Sequence, residues 1–161
     1  YDWAVYTSAT GNTKKLALNQ SNAQATSGVW NDTSPTNSVF SVRYDQTNAT
    51  GNDFIAYCWH SVAGYSKIGT YEGNGTTRNV DLGFNPSWIM IKNADAGSTA
   101  WNIVDTKRDT DTTLNLFLQA NTSIAEANTT ICSLITDGFS VTGTNTFNNS
   151  SGHTFIYMAF A

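Results

Sequence analysis

Apolar and polar residues alternate over short stretches of this chain and do not recur every three or four positions. Leu16-Ala17-Leu18 and Leu114-Asn115-Leu116 both alternate, and the runs from Phe54 to Trp59 and from Phe155 to Phe160 set large residues on alternating positions. A period of two is the signature of strands buried on one face, and Asn, Gly, Ser and Thr clusters punctuate the runs as turns. The pattern predicts an all-β protein, a β-sandwich of jelly-roll or lectin-like character, with one short helical turn at "IAEANTT".

The pattern also occurs twice. With Trp3 set on Trp101, "WAVYT" faces "WNIVD", Leu16 and Leu18 face Leu114 and Leu116, and "FSV" at Phe40 faces "FSV" at Phe139. Asn48 to Gly51 then faces Asn149 to Gly152, and Phe54-Ile55 faces Phe155-Ile156. Conserved order and spacing point to an internal duplication. One domain over residues 1–161 is expected, with half A at 1–62, a Gly- and Tyr-rich connection at 63–80 carrying a hairpin at "EGNGT", and half B at 81–161. The halves should be related by a pseudo-twofold, with Trp3, Leu16, Leu18, Phe40, Phe54 and their counterparts Trp101, Leu114, Leu116, Phe139 and Phe155 in the core.

The halves differ at their starts. "GFNPSWIMIKN" precedes Trp101, whereas only Tyr1 and Asp2 precede Trp3. The first repeat is expected to be completed from outside, by an upstream portion of a longer protein or by a neighbouring copy.

Composition narrows the partners. Only 12% of the 161 residues are charged and the net charge is −4, with no basic cluster beyond Lys14-Lys15, which argues against a nucleic-acid footprint. No apolar run is long enough for a membrane helix, so no membrane insertion is expected. Cys58 and Cys132 match no zinc spacing and read as two small buried residues, a bridge between the halves being the alternative.

The stretches "FIAYCWHSVAGYSKIGTYEGNGT", "LGFNPSWIMIKN", "WNIVDTKRD", "TDGFSVTGT" and "NNSSGHTFIYMAFA" together resemble a repeated module of unknown function found in tail-fibre-like and other appendage proteins of marine and freshwater bacteriophages. The resemblance covers nearly the whole chain. It implies a virion-appendage or extracellular setting and, because such modules sit beside lectin-like domains, surface attachment or glycan contact. It brings no catalytic residues.

Chemistry is sparse in the residues themselves. With Glu only at Glu72 and Glu126 and His only at His60 and His153, and with no nucleophile or phosphate-loop motif, an enzyme is not expected. The carboxylates Asp105, Asp109 and Asp111 are a candidate Ca²⁺ site, against which stands a charged loop ordered by Lys107 and Arg108. No other cofactor is expected. Trp30 with Asn31 and Asp32, followed by Tyr65 and Tyr71, are candidates for carbohydrate binding, because sugars are held by an exposed aromatic face with planar amides and carboxylates beside it. Asn19, Asn31, Asn48, Asn74, Asn121, Asn128, Asn148 and Asn149 stand in N-x-S/T sequons and would be glycosylated in a host that carries out that modification. The sequence therefore favours a structural and adhesive module that assembles with copies of itself, over a discrete glycan-binding lectin and, further behind, a glycan-active enzyme.

Overall fold

A computed structural model describes all 161 residues, and the protein is all-β. A three-stranded sheet comes first: β1 (Ala4–Val5), β2 (Lys14–Ala17) and β3 (Ala25–Thr26). One helical turn, α1 (Asp45–Asn48), follows. The remaining strands, β4 (Ser66–Glu72), β5 (Thr77–Asp81), β6 (Trp88–Asn93), β7 (Asn102–Asp105), β8 (Thr113–Gln119), β9 (Ala127–Ile135), β10 (Gly138–Thr142) and β11 (Thr154–Phe160), form an eight-stranded antiparallel sheet. Its order is β4-β11-β6-β7-β8-β9-β10-β5.

That order folds back on itself. β4 and β5 stand at opposite ends of the sheet, yet only residues 73–76 separate them, so the two margins are brought together at one end. At the other end Lys67 Nζ donates to the Asp81 carbonyl at 2.7 Å, spanning the seam with a side chain. Two leaves result, β4-β11-β6-β7 and β8-β9-β10-β5, joined through the short β7–β8 pairing of Asn102 with Gln119 and Ile103 with Leu118. All eight strands contribute to the core between them, which includes Tyr71, Val80, Ile89, Val104, Leu114, Ile131, Phe139 and Phe155. "EGNGT" is thus no hairpin. Its flanking strands pair with β11 and β10, because the connection is sewn to the β10–β11 loop instead: Asn149 Nδ2 donates to the Thr76 and Gly143 carbonyls, and Gly75 N donates to the Asn149 carbonyl.

β11 explains its own composition. Phe155, Tyr157 and Ala159 face the main core, while Ile156 turns outward into a second cluster with Leu16, Ala94 and Trp101. A strand covered on both faces reads as a nearly continuous apolar run.

The two halves share local geometry at matching positions. Trp3 N donates to Asn19 Oδ1 and Trp101 N to Asn121 Oδ1, both at 2.9 Å, and the residue before each Asn, Leu18 or Ala120, donates to the Trp carbonyl at 3.0 Å. Asn48 N to the Tyr44 carbonyl is matched by Asn149 N to the Asn145 carbonyl, and Gly51 and Gly152 share a left-handed φ of 78° and 74°. These locks correct one alignment. Leu16 corresponds to Leu118 and Leu18 to Ala120, since Asn121 follows Trp101 by 20 residues where Asn19 follows Trp3 by 16; Leu114 and Leu116 lie earlier in β8.

The two halves nevertheless contribute unequally. Leu16 is buried, as are Trp101, Leu114, Phe139 and Phe155, but Trp3, Phe40 and Phe54 are exposed. Leu18 and Leu116 are half-buried. Residues 54–60, the counterpart of β11, run without any strand partner, where a closing strand is expected from the alternation. Alternation states that one face needs cover; it does not supply the neighbour. "IAEANTT" carries no helical turn and opens into β9.

Candidate functional site

The aromatic residues expected to present a sugar-binding face are mostly committed elsewhere. Trp30 is buried, its Nε1 donates to the Lys14 carbonyl at 2.9 Å, and its ring meets Tyr6 edge-on at 5.8 Å. The loop-like sequence around it misled, because Gly28 lets the Tyr44 ring approach closely and the segment folds over the small sheet. Asn31 and Asp32 are exposed at a turn, with φ of 53° and 48°. Tyr71 is buried between Phe155, Phe139 and Tyr157, its hydroxyl donating to the Asn148 carbonyl at 2.6 Å; burial pushes its phenol well above the usual range. Tyr65 alone of these rings is exposed, resting edge-on against Phe160.

The acidic cluster is a set of local staples. Asp105 accepts from Lys107 N, Arg108 N and Arg108 Nε, and Arg108 continues to Glu126 at 2.7 Å, which ties the end of β7 to the segment before β9. Asp109 is 6% exposed and accepts from Asn115 N at 2.6 Å and Leu116 N at 3.0 Å, where the β8–β9 register shifts between Leu114 and Leu116. Those N–H groups, Leu116 first, hold its carboxyl below the usual carboxylate range. Asp105, Asp109 and Asp111 do not converge as a group able to hold a metal ion.

The sequons divide by exposure. Asn19, Asn31, Asn48, Asn74 and Asn128 are exposed and Asn121 is half-buried. Asn148 and Asn149 are at most 1% exposed, and their Nδ2 groups donate inward, Asn148 to the Ile131 carbonyl. They stitch the seam and offer no acceptor nitrogen for a glycan, which corrects the expectation for those two. The thiols are separate: Cys132 is buried, and burial pushes it up to about 12, while Cys58 is exposed within residues 54–60. His153 is half-buried with Nδ1 3.0 Å from Asn93 Nδ2, and His60 is exposed.

Two features lie outside those expectations. The first is an aromatic ladder on half A. Trp3, Tyr57 and Trp59 stack in succession with centroids 6.2 and 5.9 Å apart, all more than half exposed, beside an apolar groove of about 300 Å³ that also touches Leu18 and Ala120. The second is a cleft of about 440 Å³ where half A meets the eight-stranded unit. Asn19 to Ser21 form one side, Ser98 to Ala100 with Asn102, and Gln119 with Asn121 and Thr122, the others, with Phe117, Ile131 and Phe147 supplying apolar lining.

Beneath the cleft lies Lys92, fully buried without a carboxylate. Its Nζ donates to Thr99 Oγ1 at 2.7 Å and reaches the Ser21 carbonyl at 3.5 Å, both on cleft residues, and desolvation lowers its pKa to about 8. It pins the chain after β2 to the end of β6. The one sign of the cleft in the sequence is Asn102, an amide at an inward position of "WNIVD".

The family model of a domain of unknown function, DUF7483, matches residues 1–161, and the chain belongs to that family. No curated protein and no solved structure matches it.

Proposed function

We propose that this DUF7483 chain is a structural and adhesive module of a viral or extracellular appendage, and that it assembles with modules of its own kind. The observation that carries this reading is the contrast between β11 and its counterpart. β11 sits between β4 and β6, with main-chain pairing on both sides. Residues 54–60 repeat its spacing of large side chains but form no strand and have none beside them, and Phe54, Ile55, Tyr57 and Trp59 are exposed. An unpaired extended segment with large apolar side chains is a template for strand addition, in which main-chain hydrogen bonds give affinity and alternate side chains give register. A heterologous contact of this kind propagates unless its rotation closes a ring, which suits a fibre. The nearly uncharged surface agrees with close packing of copies, and no helix is long and apolar enough to cross a membrane.

Sedimentation velocity over a concentration series tests the reading. Species heavier than the 17.4 kDa monomer are expected to grow with concentration, and Cys58 is expected to lose reactivity toward a thiol reagent as they form. The Tyr57→Lys, Trp59→Lys double variant should stay monomeric at an unchanged melting temperature. A wild-type chain that is monomeric throughout, with Cys58 always reactive, overturns self-assembly. A discrete glycan-binding domain is the second reading, and the uncharged cleft between the halves is the observation that favours it.

A further inference from the structure

We infer that the cleft between half A and the eight-stranded unit is a binding site for one or two rings of a neutral saccharide. At about 440 Å³ it falls within the roughly 300–1,000 Å³ range of small-molecule sites. None of its 15 lining residues is ionisable. A phosphate or carboxylate group would find no counter-charge there, since Lys92 is sealed below, with its Nζ turned to Thr99 and Ser21.

What lines the cleft is amide, hydroxyl and phenyl. Asn102 is 2% exposed, and its Oδ1 accepts from Gln119 Nε2 at 3.3 Å. Its amide nitrogen has no protein partner, and yet it is not sealed from solvent: Asn148 Oδ1 is the one sealed side-chain polar atom left unpaired. The Asn102 NH₂ group therefore opens into the cleft. Asn121 is arranged likewise, its Oδ1 taken by Trp101 N and its NH₂ free, while Gln20 gives its NH₂ to Asp2 and keeps its carbonyl oxygen. Ser98, an exposed residue of the lining, is held at a left-handed φ of 58°.

This set of groups selects a chemistry. Each sugar hydroxyl is a donor and an acceptor at once, so the free amide NH₂ groups and the free amide oxygen of the lining can each engage a hydroxyl. Phe117 and Phe147 offer an apolar surface to the C–H face that a pyranose also carries. A purely apolar ligand would leave the amides unpaired, and an inorganic ion would gain nothing from the rings.

The site rests on the junction of the halves within one chain and is independent of assembly. Its test is a titration of ¹⁵N-labelled protein with the methyl pyranosides of glucose, galactose, mannose and N-acetylglucosamine, and with their disaccharides. Saturable shifts of the Asn102 and Asn121 side-chain NH₂ signals are expected with at least one probe. Asn121→Asp, which keeps the acceptor for Trp101 N but removes the donor, should weaken binding by roughly tenfold, the worth of about one hydrogen bond. Thr129→Trp, at an exposed position lining the cleft, should abolish it. No saturable shift with any probe, shifts undiminished in Thr129→Trp, or tighter binding of glucose 6-phosphate than of glucose overturns the inference. Assembly without sugar binding sinks this inference alone, and sugar binding by a strictly monomeric chain sinks only the assembly reading.

Discussion

The indole nitrogen of Trp101 donates a 2.9 Å hydrogen bond to the carbonyl of Ala17, 84 residues earlier, and so joins the two halves of the duplication through a residue that both halves possess. Trp3, its counterpart, forms the same main-chain lock with its own Asn but is 53% exposed. The same residue at the same place in the repeat is buried in one copy and bare in the other, because Trp101 has Leu16, Ala94 and Ile156 packed around it. The counterpart of Ile156, Ile55, is 71% exposed.

Trp101→Ala should therefore cost about 3–5 kcal/mol in urea unfolding, the usual loss for a large aromatic removed from a packed site. Trp3→Ala should cost less than about 1 kcal/mol in the monomer, since its ring rests only on Tyr57 and the small groove beside it. Equal losses at the two positions would contradict the asymmetry.

Lys92 gives the protein a recognisable pH response. Its folded-state pKa of about 8 lies below the ordinary lysine value of 10.5, so between these the unfolded chain binds the extra proton and stability rises with pH. Below about pH 8 both states are protonated and the desolvation penalty is constant. Cys132 and Tyr71 act oppositely at higher pH, because burial keeps them protonated only in the fold. The stability difference between wild type and Lys92→Met isolates the lysine: it should increase by up to about 3 kcal/mol in favour of wild type from pH 8 to pH 10.5. A flat difference would show that Nζ is hydrated.

The thiols should behave independently. In native protein one thiol, Cys58, reacts with an aromatic disulfide reagent, and Cys132 reacts only after denaturation. Reducing agent should leave the melting temperature unchanged, and a fall of several degrees would reveal a bridge.

Two glycines are fixed by close approach. A Cβ at Gly73 would lie 2.2 Å from the Ser150 carbonyl oxygen, and one at Gly138 the same distance from that of Val80. Neither obstacle is a flexible side chain, so Gly73→Ala and Gly138→Ala should each lose about 3 kcal/mol or fail to fold. Gly97→Ala, with its nearest neighbour 4.0 Å away, should be nearly neutral in the same melts.

These contrasts mark how far the fold was legible in the sequence. The all-β class and the burial of Trp101 were readable because alternation and large anchors are local properties, whereas Trp3, expected in the core, is exposed because Ile55, which would cover it, is itself bare. The four-residue offset of β8 was not, since Leu114-Asn115-Leu116 imitates Leu16-Ala17-Leu18 while Asp109 bends the chain beneath it. Trp30 looked like a loop residue because its cover, Tyr6 and the Lys14 carbonyl, is distant in sequence and irregular in structure. The cleft was hidden for a related reason: its amides come from three segments that meet only when half A packs on half B. The seam asparagines Asn148 and Asn149 carried sequons that composition alone produces, and nothing local distinguishes a buried amide from an exposed one.

The position of β11 between β4 and β6 sets the order of events in folding. β4 is made early, but its partner along all seven positions, from Thr154 opposite Glu72 to Phe160 opposite Ser66, is the last strand of the unit. Contacts this distant along the chain are slow to form, because the loop between them must be closed before any hydrogen bond rewards it. During synthesis β4 and β6 are therefore made before the strand that fills the place between them, residues 154–160. A chain without residues 154–160 would leave that place open, and the leaf would lack an inner strand and not merely its edge.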